Sequence, residues 1–219
     1  MAVTSKIVSM CEGRVVKKGK TNKNELIEKE SDYFIPSEKS AYGITLTIKE
    51  NLLAPTAGID ESNGDGCLIL WPENPQKTAN ELRKYLRQKF SLKEVGVIIT
   101  DSKSSPLRRG VTGVALSHSG FSALNNYSGL LDIFGQKKGA VVNIMDALAA
   151  AAVLVMGEIN EQTPLAVVQD IPFVRFRDND PSEKELKRLY LDMQEDIYAP
   201  LLKNVEWKKG GKSTLVWYN

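Results

Sequence analysis

The chain of 219 residues is 42% hydrophobic and 26% charged, an ordinary globular balance that excludes a disordered or collagen-like polymer. Its net charge of +2 is too weak a field to hold nucleic acid or an anionic membrane, so neither is expected as a partner. Cys11 and Cys67 supply neither a disulfide framework nor a four-thiolate zinc site, and a single histidine, His118, excludes multi-histidine metal sites and histidine triads.

Val3 to Val8 reads as a strand, followed by a turn at Glu12-Gly13 and a short run from Arg14 to Val16. A polar helix is predicted over 24–31, ending before the aromatic run Tyr33-Phe34-Ile35-Pro36. Ile44, Leu46 and Ile48 alternate with threonines in a half-buried strand pattern, and the apolar run Cys67 to Trp71 stops at Pro72. Asn74 as N-cap with Pro75 behind it starts a helix. Ala79, Leu82, Tyr85 and Leu86 form its expected inward stripe, and Arg83, Lys84, Arg87 and Lys89 a solvated basic face. Val95 to Thr100 is continuously apolar, which predicts a strand buried on both faces.

Asn143 and Asp146, three residues apart, open a helix over 143–156 that Gly157 can close. Apolar residues run nearly all round it, so it is expected to be buried. Its stretch Ala147 to Met156 is too short to span a bilayer, and no apolar signal region stands at the N-terminus, which with two thiols and no bridge favours a reduced cytoplasmic setting. Leu165 to Val168 reads as a further strand, and an amphipathic helix is expected from Asp180-Pro181 to about Tyr198. With neither repeat nor linker, the expectation is one α+β domain, mixed sheets with packed helices, over 1–208, and a mobile tail at 209–219.

Acids and hydroxyls gather after three apolar runs: Gly58 to Asn63, Thr100-Asp101-Ser102, and Met156 to Glu161. Hard cations such as Mg²⁺ and Mn²⁺ favour such oxygen ligands. From spacing alone, residues 60–66 read more readily as an ordinary Asx and glycine turn than as a metal site. An EF-hand loop is excluded, because Trp71 stands where its closing glutamate belongs. Neither GxxxxGK[ST] nor GxGxxG occurs.

The ordered segments TSKIVSMCEGR, AGIDESN, ITDSKSSPLRRG, DIFG and MDALAAAAVLVMGE followed by TPLAVV resemble the F420-0:gamma-glutamyl ligase family over about residues 3 to 170. With IYAPLLKNVEWKKG, the resemblance points to the bacterial branch labelled putative folate metabolism gamma-glutamate ligase. It implies a gamma-glutamyl ligase-like fold, with Asp60 on a divalent metal and Asn63 on the guanine nucleotide. Asp101 and Ser102 would serve metal, the serine standing where the family has threonine. Glu158 would serve a second metal, and Met156, Gly157, Glu158, Ile159, Asn160, Glu161, Gln162 and Thr163 would line the nucleotide.

Ser5 and Lys6 would touch phosphates, although Met10 stands where a lysine commonly follows VS. Lys103-Ser104-Ser105 replaces Phe-Gly-Arg, while Arg108 is kept and binds phosphate or carboxylate if it is not plain surface charge. Family members also carry a strand ahead of TSKIVS, so a clipped start or an altered nucleotide pocket is expected. The implied activity adds L-glutamate by an amide bond to an acidic acceptor, F420-0 or folate-like, through an acyl phosphate. It uses GTP or ATP with Mg²⁺ or Mn²⁺ and K⁺, in a cytoplasmic homodimer. A non-catalytic nucleotide-binding homologue and a metal-dependent phosphohydrolase are the alternatives.

Overall fold

The computed structural model describes residues 1–19, 21–137 and 139–212, so the expected tail lies outside the described residues from 213 onward. In chain order the elements are β1 (Ala2–Thr4), α1 (Ser5–Cys11), β2 (Val15–Lys17), α2 (Lys23–Glu30), β3 (Tyr33–Ile35), β4 (Leu46–Lys49), β5 (Leu52–Leu53) and β6 (Cys67–Ile69). There follow α3 (Pro75–Phe90), β7 (Val97–Ser104), β8 (Val111–Ser119), β9 (Leu124–Asn126), β10 (Val141–Asn143), α4 (Ile144–Met156), β11 (Leu165–Ala166), α5 (Glu183–Lys187), α6 (Ala199–Leu202) and β12 (Lys208–Lys209). This is the mixed α+β fold that the sequence predicts. No helix among the described residues is long and apolar enough to cross a membrane.

Two compact units result. The first comprises Met1–Val8, Pro72–Ser105 and Gly110–Leu189, and the second Ser9–Trp71, Pro106–Arg109 and the chain from Tyr190 onward. In the first, a four-stranded sheet of order β11-β1-β7-β8 pairs β1 parallel to β7 and is otherwise antiparallel. Val3, Val97 and Ile99 pack with Ala79 and with Leu82 and Leu86 of α3. Ile98 and Ala115 pack with Met145 and Ala149 of α4 on the other face. This double cover explains the unbroken apolar run in β7.

Several expectations give way in this unit. Only Ala2–Thr4 is strand, and Ser5–Cys11 turns helical although Ile7 and Val8 are β-branched. Sheet pairing holds the strand only where β7 and β11 flank it, and Val8 is instead buried with the α3 cluster. On α3, Arg83 is buried and Tyr85 exposed, the reverse of the expected stripe. The Arg83 guanidinium donates to the carbonyls of Arg177 and Asp178, each at 2.9 Å, and to Asp180 at 3.1 Å, which ties down the 177–180 segment. Helix α4 is not covered all round, since Leu154 and Val155 are 83% and 68% exposed. The long helix after Asp180 shrinks to α5, opened by a Ser182–Glu185 capping box. Beyond it, the Asp192 and Asp196 carboxylates accept the backbone N–H groups of Gln194 and Tyr198, local turns that compete with helix.

In the second unit, β12, β3, β4 and β5 form an antiparallel sheet and β2 pairs with β6. Lys209, the first residue of the expected tail, pairs with Tyr33. Leu26, Ile27, Ala57, Ile59, Leu68 and Leu70 form the core, and Cys11 and Cys67 are free thiols. Glu30 and Lys49 are buried charges. Glu30 accepts from Arg14 at 2.6 Å and from Lys49 at 3.1 Å. Burial alone would raise the Glu30 pKa, but the two cations hold it below the usual range. Lys49 Nζ lies 5.2 Å from the Trp71 ring centroid, and Arg14 Nε donates to the Trp71 carbonyl at 3.1 Å.

Thr56, Ala57 and Gly58 occupy the left-handed region in succession, with φ of 57°, 54° and 68°. Non-glycine residues enter this region only at a cost. Ala57 is held there by a 2.8 Å hydrogen bond from its amide to the buried Thr47 hydroxyl. A Cβ on Gly58 would collide with the Trp71 indole. Gly58→Ala should therefore lower unfolding stability by about 2–4 kcal/mol, measured by urea denaturation, through strain and overpacking together.

His118, on β8, is buried with its ring edge on Phe121, centroids 5.3 Å apart. Burial holds its pKa down at about 4, against a usual 6.5. The unfolded chain thus binds the proton first, so stability is full above about pH 6.5 and falls as the pH drops through this window towards 4. The loss is on the order of 3 kcal/mol. Denaturation midpoints of His118→Leu should lack this component of the acid loss, as the difference from the parent chain across the same window will show.

Candidate functional site

The carboxyl end of β1 lies beside the middle of the parallel strand β7, with Thr4 in register with Thr100. The start of the antiparallel β11 joins them, because the Thr4 amide donates to the Pro164 carbonyl at 3.0 Å. Thr100 Oγ1 adds a 3.3 Å bond to the Val3 carbonyl. Three segments far apart in sequence therefore gather here: Ser5-Lys6 directly after β1, the Met156 to Thr163 turn directly before β11, and Asp101-Ser102, which continue in β7 paired with β8. Along β7 this is where burial eases, Thr100 being buried and Asp101 and Ser102 half-buried.

Gly113 is in register with Ser102 and lies against Ala149 of α4, so Ser102 belongs to the face that α4 covers. Its hydroxyl donates to Glu158 Oε1 at 2.6 Å. Alternation along the strand sends Asp101 to the opposite face. Ser5 is buried at the start of α1 and Lys6 is half-buried.

The turn that presents Glu158 is closed on itself. Gly157 caps α4 at φ 81°, and the Thr163 hydroxyl donates to the Met156 carbonyl. Gln162 also sits in the left-handed region, at φ 55°. The exposed Glu161 carboxylate accepts the Ile159 amide at 2.9 Å. That amide, followed by those of Glu161, Asn160 and Glu158, holds its pKa below the usual carboxylate range. Asn160 and Glu158 are themselves exposed.

Asp60, Asn63 and Arg108 belong to the second unit. Asp60 forms a backbone bridge with Ile69, and its carboxylate accepts the Ser62 amide at 2.7 Å and hydroxyl at 2.8 Å, an Asx turn. Asn63 follows at φ 53°, exposed. Glu61 receives Lys18 Nζ at 2.8 Å together with Lys23 Nζ, and these two bonds bring its pKa down to about 2. Sequence reading misses this clamp, for which neither spacing nor periodicity offers a cue. Arg108 is exposed in the β7–β8 loop, after Leu107 at φ 59°.

The first unit thus gathers Ser5, Ser102 and Glu158 near the carboxyl end of β1. A carboxylate and a hydroxyl 2.6 Å apart are hard oxygen donors, which suits Mg²⁺ or Mn²⁺. Among the described residues no group of three or more His, Cys, Asp and Glu gathers as a metal set.

The model of the F420-0:Gamma-glutamyl ligase family matches residues 1–170. A coenzyme F420:L-glutamate ligase of Methanococcus maripaludis strain C7 is 40% identical over 156 residues, 71% of this chain and 60% of that protein. Its counterpart in Methanopyrus kandleri strain AV19 is 40% identical over 130 residues, 58% of this chain and 51% of that protein. That of Haloarcula marismortui is 40% identical over 153 residues, 69% of this chain and 56% of that protein. The matched region spans between half and two thirds of each of these relatives. They also correct the expected sub-branch. The similar proteins are archaeal F420:L-glutamate ligases and not members of a bacterial folate branch, and the segment IYAPLLKNVEWKKG that also points to that branch lies beyond the matched residues 1–170. By the match across its first 170 residues, the chain belongs to the F420-0:Gamma-glutamyl ligase family.

Proposed function

We propose that the chain is a nucleotide- and divalent-metal-dependent ligase that joins L-glutamate by an amide bond to the carboxylate of an F420-0-type acceptor. The observation that carries this reading is the Ser102–Glu158 hydrogen bond, where the chain segments next to Thr4, Thr100 and Pro164 meet. Amide formation from a carboxylate in water is uphill, so the acid needs activation. An acceptor carboxylate oxygen attacks the γ-phosphorus of GTP, the bond to the β-phosphate oxygen breaks, GDP leaves, and an acyl phosphate forms. The glutamate amine, having lost its proton, then attacks the acyl carbon and inorganic phosphate departs.

A divalent cation would neutralise phosphate charge during transfer. Ser102 and Glu158 would hold it on the α4 face; Asp101 and, in the second unit, Asp60 would also serve divalent metal. Ser5 and Lys6 would bind phosphate oxygens, and Asn63 the guanine base. Arg108 would orient the acceptor or the phosphate. K⁺ as an additional cation and a cytoplasmic homodimer complete the proposal.

Turnover of F420-0, L-glutamate and GTP or ATP, followed by mass spectrometry, should show one glutamyl residue added per GDP or ADP released, with GTP the better donor. Release of inorganic phosphate that needs neither glutamate nor acceptor would instead indicate a phosphohydrolase, and nucleotide binding without release a non-catalytic homologue. Ser102→Ala and Asp101→Asn should each cost about 10–100-fold in metal-dependent nucleotide affinity, by titration calorimetry, with circular dichroism unchanged.

A further inference from the structure

We infer that Glu161 is a positioning residue for Glu158, acting through the backbone of the turn rather than on the nucleotide. Its carboxylate reaches back across its own loop to accept the Ile159 amide at 2.9 Å. The same carboxylate lies directly against the α-carbon of Gly157, where any Cβ would collide with it. Gly157 in turn adopts φ 81° and gives its amide to Val153 as the last bond of α4. Closure by the Thr163 hydroxyl on the Met156 carbonyl leaves the turn little freedom at its far side.

Glu158 sits between these two restraints, and the Ser102 hydroxyl meets its outward carboxylate at 2.6 Å. A turn of successive amides is a concave, partly positive surface that collects an anion. Here the chain supplies that anion itself. Glu161 is exposed, so it buries no apolar surface and fills no cavity. What it contributes is the direction in which Glu158 leaves the loop. Without it the amides of 158–161 would turn to water, and the carboxylate of Glu158 would sample orientations away from Ser102.

This inference rests on the ligase reading only in naming a divalent cation as the ligand of Glu158. The test uses the full chain with Mn²⁺ alone, binding followed by electron paramagnetic resonance, and amide hydrogen exchange across 157–163. Glu161→Ala should weaken Mn²⁺ binding about tenfold or more and speed exchange at Ile159. Glu161→Gln, which keeps an oxygen for the Ile159 amide, should recover part of both. Gly157→Ala leaves the carboxylate in place chemically but displaces it sterically, and should reproduce the alanine defect. A merely structural role would lower thermal stability in Glu161→Ala with Mn²⁺ affinity unchanged, and that result would overturn the inference. Tighter nucleotide binding in the same variant would also overturn it, because the carboxylate would then be a competitor of phosphate. So would failure of the parent chain to bind Mn²⁺. Loss of Mn²⁺ affinity in a chain that ligates no acceptor would leave positioning standing and remove the ligase reading, whereas ligation with Mn²⁺ affinity unmoved by Glu161→Ala would do the reverse.

Discussion

Val97 and Ile99 turn towards α3 while Ile98 turns towards α4, and all three are buried, so neither face of β7 can carry an unpaired polar group along that stretch. Leaving a polar side chain unsatisfied there would cost about 1–3 kcal/mol. Thr100, still buried, meets the rule by donating to the Val3 carbonyl. One residue further on, Asp101 and Ser102 are only half-buried and a carboxylate becomes tolerable. The same constraint governs the other strands, since β1 ends at Thr4 and β11 begins at Leu165. Two-sided burial therefore leaves the carboxylate and hydroxyl of β7 to the stretch beyond Thr100, and the extended backbone then distributes neighbouring residues to opposite faces.

The second unit solves a different problem. Glu30 lies under solvent-free cover and is tolerated because Arg14 and Lys49 approach it together. Replacing one member of such a group leaves an uncompensated charge, which is why buried ion pairs specify one packing more than they add to stability. Here the network reaches Trp71 through both cations, and the Trp71 indole lies against Gly58 in the left-handed turn. The turn that leads to Asp60 is thus shaped by side chains whose own positions are fixed by charge.

Much of this was legible in sequence where a local rule coincides with the tertiary outcome. Asn74 and Asn143 cap α3 and α4 through bonds to the amides of Lys77 and Asp146, as their spacing implies. The unbroken apolar run Val97-Ile98-Ile99 that opens β7 announces burial on both faces, because a half-buried strand would alternate. What was not legible depends on partners distant in sequence. Arg83 looks like a surface cation until the 177–180 carbonyls arrive to receive it. Strand β8, for which the sequence predicts no element, buries Ser117, His118 and Ser119, and the Ser117 hydroxyl is satisfied inside by donating to the Pro75 carbonyl at 2.8 Å. In the candidate site, residue types and order were readable from the motifs. The Glu161 contact on Gly157 was not, since it depends on one dihedral angle.

Strand β1 has three residues, and its neighbours are Ile98 to Thr100 on one side and Leu165-Ala166 on the other. Neither pairing is local, so the entropy of closing both loops must be met before either ladder yields any return. Helices α3 and α4 and the β7–β8 hairpin can form from contiguous chain beforehand. A ribosome must release residue 166 before the strand at residue 2 finds its second neighbour, so one edge of β1 stays open until most of the first unit has been made.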